Sequence, residues 1–176
     1  MKNISCLIFL LILSFSEINC YQKNGSHTIN NQRITQTEDR LALKELVDKF
    51  SVLADKKDVA AQMDLFTEDA VVESFRNGVS NSKLTGKEEI SNAFSGFLSL
   101  FETVYHLNGQ QTVTVNGDRA SGIAYCLVVL IGEQEGQKTK TTFGVSYEDE
   151  YIKQNGKWLI ADRKSYFNWQ DVSPLE

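Results

Sequence analysis

The sequence predicts an α+β protein in which N-terminal helices pack on a strongly curved antiparallel sheet, forming a cone with an internal pocket. Three observations carry this prediction. Apolar residues recur at helical spacing from Arg40 to Phe101, with one short strand between the helices. The period drops to two from Tyr105 onward, as a half-buried strand requires. The dipeptides Asn116-Gly117 and Asn155-Gly156 then mark tight hairpins between long strands.

Leu43, Leu46, Val47, Phe50, Leu53 and Ala54 form one apolar stripe on the first helix. Lys56 and Lys57 end it in the sense that the helix dipole favours. Asp58 is placed to N-cap a second, shorter helix through Met63 and Phe66. Ala70 to Phe75 reads as a short strand, and Arg76 to Ser82 as a polar loop. Thr85 and Glu88 have capping-box spacing ahead of a third helix. Its apolar face carries Ile90, Ala93, Phe94, Phe97, Leu98 and Phe101, and Phe94 and Phe97 are expected to pack on the concave side of the sheet.

In the next strand His106, Asn108, Gln110, Thr112 and Thr114 share one face, opposite Leu107, Val113 and Val115. A bulge at Gly109 would exchange the faces beyond it. Ala120 to Ile131 is apolar on both faces, as a covered central strand would be. Thr139 to Lys153 places Phe143, Val145, Tyr147, Asp149 and Tyr151 together, and the final strand runs from Trp158 to Phe167. Glu148, Asp149 and Glu150 read as a solvated acidic run.

With 41% hydrophobic and 23% charged residues, the composition is that of an ordinary globular domain. The net charge is −5, with both signs dispersed and no basic stripe, which argues against a nucleic-acid partner. Residues 1–20 read as a signal peptide: Lys2 precedes an apolar run too short to span a membrane. Secretion or export to a periplasm follows, with lipidation of Cys20 as the alternative to simple cleavage. Residues 21–38 read as a flexible tether and 39–170 as the folded domain. Cys126, in an apolar run, reads as a buried thiol. No phosphate-binding glycine loop, CxxC pair or GxSxG elbow occurs, and no metal or organic cofactor is expected.

Several segments, taken in order, carry a family likeness. They are Ala54-Asp55-Lys56-Lys57-Asp58, Leu65-Phe66-Thr67-Glu68-Asp69-Ala70-Val71-Val72, Leu84-Thr85-Gly86-Lys87-Glu88-Glu89-Ile90, His106-Leu107, Val115 to Ala120 and Tyr147 to Arg163. This order resembles the SnoaL-like branch of the nuclear transport factor 2-like superfamily. The resemblance implies a cone-shaped pocket that serves dehydratases, isomerases, cyclases and non-catalytic binding modules alike, so chemistry has to be argued from the site.

Ketosteroid isomerases of this superfamily pair an aspartate base with a tyrosine donor. The matching positions here hold Ser74 and Phe50, which excludes that activity. Scytalone dehydratases pair an aspartate at the end of the first helix with a histidine early in the sheet. Asp55 and His106 match these. A second pocket histidine is replaced near Leu130, and an asparagine by Tyr147.

Asp55 lies where the helix dipole disfavours a carboxylate, so it needs solvent, a cation or a proton. Its bland reading is a surface residue; its sharp reading is a partner that orients His106 for proton transfer. Tyr105, Tyr125, Tyr147, Phe94 and Phe97 are the candidate ligand-binding residues, with plain core packing as the alternative. Three functions follow: a pocket that binds a small, largely apolar ligand; a cofactor-free lyase or isomerase using Asp55 and His106; or a module that homodimerises through its exposed sheet face. If the dyad forms, ion pairing is expected to raise the pKa of His106.

Overall fold

The computed structural model describes residues 33–175. The expected signal peptide, Cys20 and most of the expected tether lie outside the described residues. The chain divides into two compact units, 1–39 and 40–176. Residues 33–39 of the first are helical; the second holds the elements described below.

Helix α1 covers residues 40–55, followed by α2 (Val59–Met63) and α3 (Lys87–Ser99). The strands are β1 (Phe66–Arg76), β2 (Val79–Thr85), β3 (Thr103–Asn116), β4 (Arg119–Gln134), β5 (Gln137–Gln154) and β6 (Lys157–Pro174). They form one sheet in the order β2-β1-β6-β5-β4-β3. The α+β class holds, and the sheet is mixed: β1 pairs parallel with β6, and every other neighbouring pair is antiparallel. No hairpin joins β1 to β6, so the direction of that pair is not constrained by a tight turn.

α1 ends as its sequence suggests. Lys57 turns left-handed at φ 57°. Its N–H donates to Ala54 O at 2.9 Å, and that of Asp58 to Leu53 O at 2.9 Å. This pair of bonds is a Schellman closure, and it places Asp55 in the last helical turn. Asp58 then caps α2, accepting from Ala61 N at 3.1 Å.

Three elements depart from expectation: α2 ends at Met63, so that Phe66, read as helical, opens β1 four residues before the expected strand. The polar stretch after Phe75 is the turn and second strand of a hairpin, with Asn77 and Gly78 both at positive φ (54° and 76°). The cap of α3 is displaced by one residue. Gly86, at φ 83°, occupies the N-cap without a side-chain bond, and Glu89 rather than Glu88 accepts from the Thr85 N–H at 2.7 Å. Only glycine adopts that φ readily, so the backbone decides the cap position.

The core joins Leu43, Leu46, Val47 and Phe50 of α1 to Phe66, Ile90, Val145, Tyr151 and Ile160. On α3, Ile90 and Leu98 are buried. Phe94 is half-buried, and Phe97 is 47% exposed.

Candidate functional site

A cavity of about 290 Å³ opens between α1, α3 and the concave face of the sheet. Phe50 and Ala54 of α1, Phe94 and Phe97 of α3, and Val128, Leu130 and Phe143 of the sheet supply most of its apolar wall. Polar groups enter from Gln62, Ser74, His106, Tyr147, Arg163 and Ser165, and from the exposed Arg76, Asn81 and Ser82. A mostly apolar recess with a few convergent polar groups is the usual form of a small-molecule site.

His106 meets Asp55 across the gap between β3 and the end of α1, with Nδ1 2.7 Å from Oδ1. An ionised carboxylate only accepts, so Nδ1 carries the hydrogen and Nε2 keeps its lone pair. The histidine side chain is 8% exposed and that of Asp55 26%. His106 belongs to the cavity wall and Asp55 does not. The hydrogen bond also answers the unfavourable dipole at Asp55.

The expected upward shift at His106 is reversed. Burial pulls its pKa below 6.5, outweighing the hydrogen bond and charge of Asp55, which push it up; Arg163 adds a smaller downward push. A depressed pKa leaves the imidazole neutral near pH 7 and able to accept a proton.

Two residues further along β3, Asn108 forms a second polar link to α1. Its Nδ2 donates to Asp48 Oδ1 at 2.9 Å and to Val47 O at 3.3 Å. Its Oδ1 accepts from Ser51 Oγ at 2.9 Å. Beyond it the register of β3 against β4 shifts between Asn108 and Gln111. That bulge turns Gln111, Val113 and Val115 inward, and Gln110, Thr112 and Thr114 outward.

The other expected binding residues divide. Phe94, Phe97 and Tyr147 line the cavity. Tyr105 and Tyr125 do not: they are 54% and 53% exposed, because strand alternation sends them to the convex face. Ser74 and Phe50, which excluded the ketosteroid isomerase pattern, are both in the wall, as is Leu130 at the place of the missing second histidine.

Sequence reasoning missed the strongest polar feature of the site. Arg163, on β6, is 1% exposed. Its Nε and Nη2 each donate to Asp149 at 2.7 Å, and Tyr151 Oη donates to the same carboxylate at 2.8 Å. Its guanidinium lies 4.3 Å from the Phe50 ring centroid and 4.4 Å from that of Tyr147. Burial opposes its charge, but Asp149 more than offsets this and the net shift of its pKa is upward. Asp149, at 3% exposure, thus leaves the expected solvated run; Glu148 and Glu150 remain exposed. Burial also pushes the Cys126 thiol up to about 12. Among the described residues, no cluster of three or more His, Cys, Asp or Glu could hold a metal. No helix among them is long and apolar enough to cross a membrane.

The architecture is that of an α+β cone. The model of the SnoaL-like domain matches residues 35–164, and the chain belongs to that family. Similar solved structures include a provisionally assigned scytalone dehydratase from Novosphingobium aromaticivorans DSM 12444. It is 19% identical, with a TM-score of 0.70 over 81% of this chain and 92% of the other. A provisionally assigned aromatic ring hydroxylase from Novosphingobium aromaticivorans is 26% identical, with a TM-score of 0.68 over 79% and 94%. A type 2 hexachlorocyclohexane dehydrochlorinase is 18% identical, with a TM-score of 0.66 over 80% and 91%. No curated protein matches the chain.

Proposed function

We propose that the domain binds a small, largely apolar molecule in the cavity and moves a proton on it without a cofactor, as a lyase or isomerase. The observation that carries this reading is the Asp55–His106 bond of 2.7 Å beside an apolar recess. Asp55 fixes the tautomer, burial keeps the ring neutral, and Nε2 is the base. Once protonated, the imidazolium is stabilised by the carboxylate behind it and can return the proton to a leaving group. Two of the similar structures carry the names of eliminations, dehydration and dehydrochlorination. Those likenesses concern the fold; the dyad carries the reaction class.

A flat, uncharged probe tests this directly. 5-Nitrobenzisoxazole opens to a coloured nitrophenolate when a base removes its ring C–H proton. The wild type should accelerate the opening, with a pH profile governed by a base of pKa below 6.5. His106→Ala should lose most of that acceleration, which for general bases is typically about 10²–10⁴-fold. Equal rates in the two proteins would leave a binding pocket without proton transfer. That is the second reading, favoured by Leu130 and Tyr147 where the dehydratase pattern has histidine and asparagine.

The homodimer and the export of the chain belong to the same proposal. Tyr105, Leu107, Ile123 and Tyr125, 41–56% exposed on the convex face, give a second copy an apolar surface to cover. Sedimentation at micromolar concentration should give a dimer, and a monomer would oppose it. Mass spectrometry of the protein from its own host should find the chain beginning at or just after Cys20, with or without a diacylglycerol adduct. An intact leader on the abundant species would oppose export.

A further inference from the structure

The cavity lining is charged in one sense only. Arg76, His106 and Arg163 belong to it and no aspartate or glutamate does, although the chain as a whole carries −5. Arg163 is neutralised from outside the lining by Asp149, and burial lowers the pKa of His106 so that it is neutral near pH 7. Arg76 is left as the uncompensated cation. It ends β1, is exposed, and makes no hydrogen bond or ion pair among the described residues. Glu73, three residues earlier, falls on the other face of the strand and accepts from Ser80 Oγ at 2.7 Å. The Arg76 guanidinium lies instead against the wall of the recess, 5.6 Å from the Phe143 ring centroid and 5.8 Å from that of Phe167. Cation–π contact holds the group in place but occupies none of its N–H donors. A bulge in the β1–β2 hairpin inserts Asn81 between the paired residues Ser80 and Ser82, and Asn81 and Ser82 both join the lining.

We propose that Arg76 is the anion-recognition point of the cavity and that the ligand is an amphipathic acid, an apolar ring or chain ending in a carboxylate. A planar carboxylate matches the guanidinium fork, and the Asn81 amide supplies a further donor. Register sets the size of the ligand. His106 pairs with Val128, and Val128 with Phe143. Two strand spacings, roughly 10 Å, therefore separate His106 from the residue whose ring Arg76 covers. Val128 and Phe143 line the cavity together with His106, so an acid of about that length lays its carboxylate on Arg76 and its far end against His106. A cationic ligand would meet a like charge, and a hydrocarbon would leave the Arg76 donors to water. This deepens the proposed function: it rests on the reading that the cavity holds a ligand, but not on proton transfer at His106.

The test is titration calorimetry near neutral pH with a matched set, 4-phenylbutanoate, 4-phenylbutanamide and 4-phenylbutylamine, while the His106 ring signals in NMR report occupancy of the cavity. The acid should bind roughly three- to tenfold more tightly than the amide, as a charge-assisted contact at a partly exposed site gives. The amine should bind most weakly. The advantage of the acid should shrink between about 0.02 and 0.5 M salt, because the cation faces solvent. Arg76→Gln should bring the acid down to the amide and leave the affinity of the amide unchanged, which also shows that the variant is folded. Arg76→Glu should reverse the order and place the amine above the acid. The inference alone is overturned if the acid binds no more tightly than the amide while both shift the His106 signals, or if the advantage of the acid survives in Arg76→Gln. If none of the three probes binds, the inference falls together with the reading of the cavity as a ligand site.

Discussion

Replacing Asp149 by asparagine keeps the shape of the side chain and removes the charge that Arg163 depends on. Arg163 is 1% exposed, so water cannot take over. Two bonds of 2.7 Å from the guanidinium and one of 2.8 Å from Tyr151 converge on this carboxylate. An asparagine can accept only at Oδ1 and turns its own N–H donors toward the guanidinium. Breaking a buried pair by removing one partner costs about 3–5 kcal/mol. For a domain of this size that lowers Tm by roughly 2–4 °C per kcal/mol. Urea unfolding followed by circular dichroism, with wild type and variant compared at constant slope, measures the loss. The double variant Asp149→Leu with Arg163→Met should cost less than the sum of the single changes, because neither charge is then stranded. A loss below about 1 kcal/mol for Asp149→Asn would refute the view of Arg163 as a buried, pair-dependent cation.

Other expectations follow from the same structure. Ile90→Ala, at a position with no exposure, should cost about 2–5 kcal/mol, whereas Phe97→Ala, at 47% exposure, should cost well under the fully buried value; equal losses in urea unfolding would mean that α3 is rotated. Because His106 has a lowered folded-state pKa, the unfolded chain binds its proton first as pH falls. The contribution of this group to stability is complete above the unfolded value of about 6.5 and is lost as pH falls through that value toward the folded one. Unfolding curves between about pH 8 and pH 5 should show this loss, and His106→Gln should flatten the part due to this group. Cys126, buried and pushed up to about 12, should resist thiol reagents in the native protein and react in urea. Rapid native labelling would contradict its placement.

Much of this was legible in the sequence, and the misses have physical causes. Helical periodicity identified the stripe of α1, and Asp58 announced the start of α2 by its side chain alone. The β5 face from Phe143 to Tyr151 was readable because alternation survives unbroken there. The β1–β2 hairpin also had its signal, Asn77-Gly78, but the polar side chains of β2 concealed a strand that packs little against the core. The Asp149–Arg163 pair was hidden by one residue of register. A plain count back from the Asn155-Gly156 turn places Asp162 opposite Asp149. The irregularity between Glu150 and Tyr151 advances β6 and brings Arg163 opposite instead. In β3 the bulge after Asn108 likewise decides which face Gln111 takes. The partnership of Asp55 with His106 was suggested by family resemblance. Its electrostatic balance was not readable, since the burial that lowers the histidine pKa depends on α1 and the sheet packing together.

Titration of His106 by heteronuclear NMR, in the wild type and in Asp55→Asn, tests the central claim most directly. The wild-type ring should titrate below 6.5, with the hydrogen on Nδ1 in its neutral form. Asp55→Asn removes the two influences that push the pKa up, the hydrogen bond and the charge, so the value should fall further. The Nδ1–H signal should also lose the downfield position that a carboxylate acceptor gives it. A histidine that titrates identically in both proteins, or one on the Nε2–H tautomer in the wild type, would contradict the dyad and with it the proton-transfer reading of this pocket.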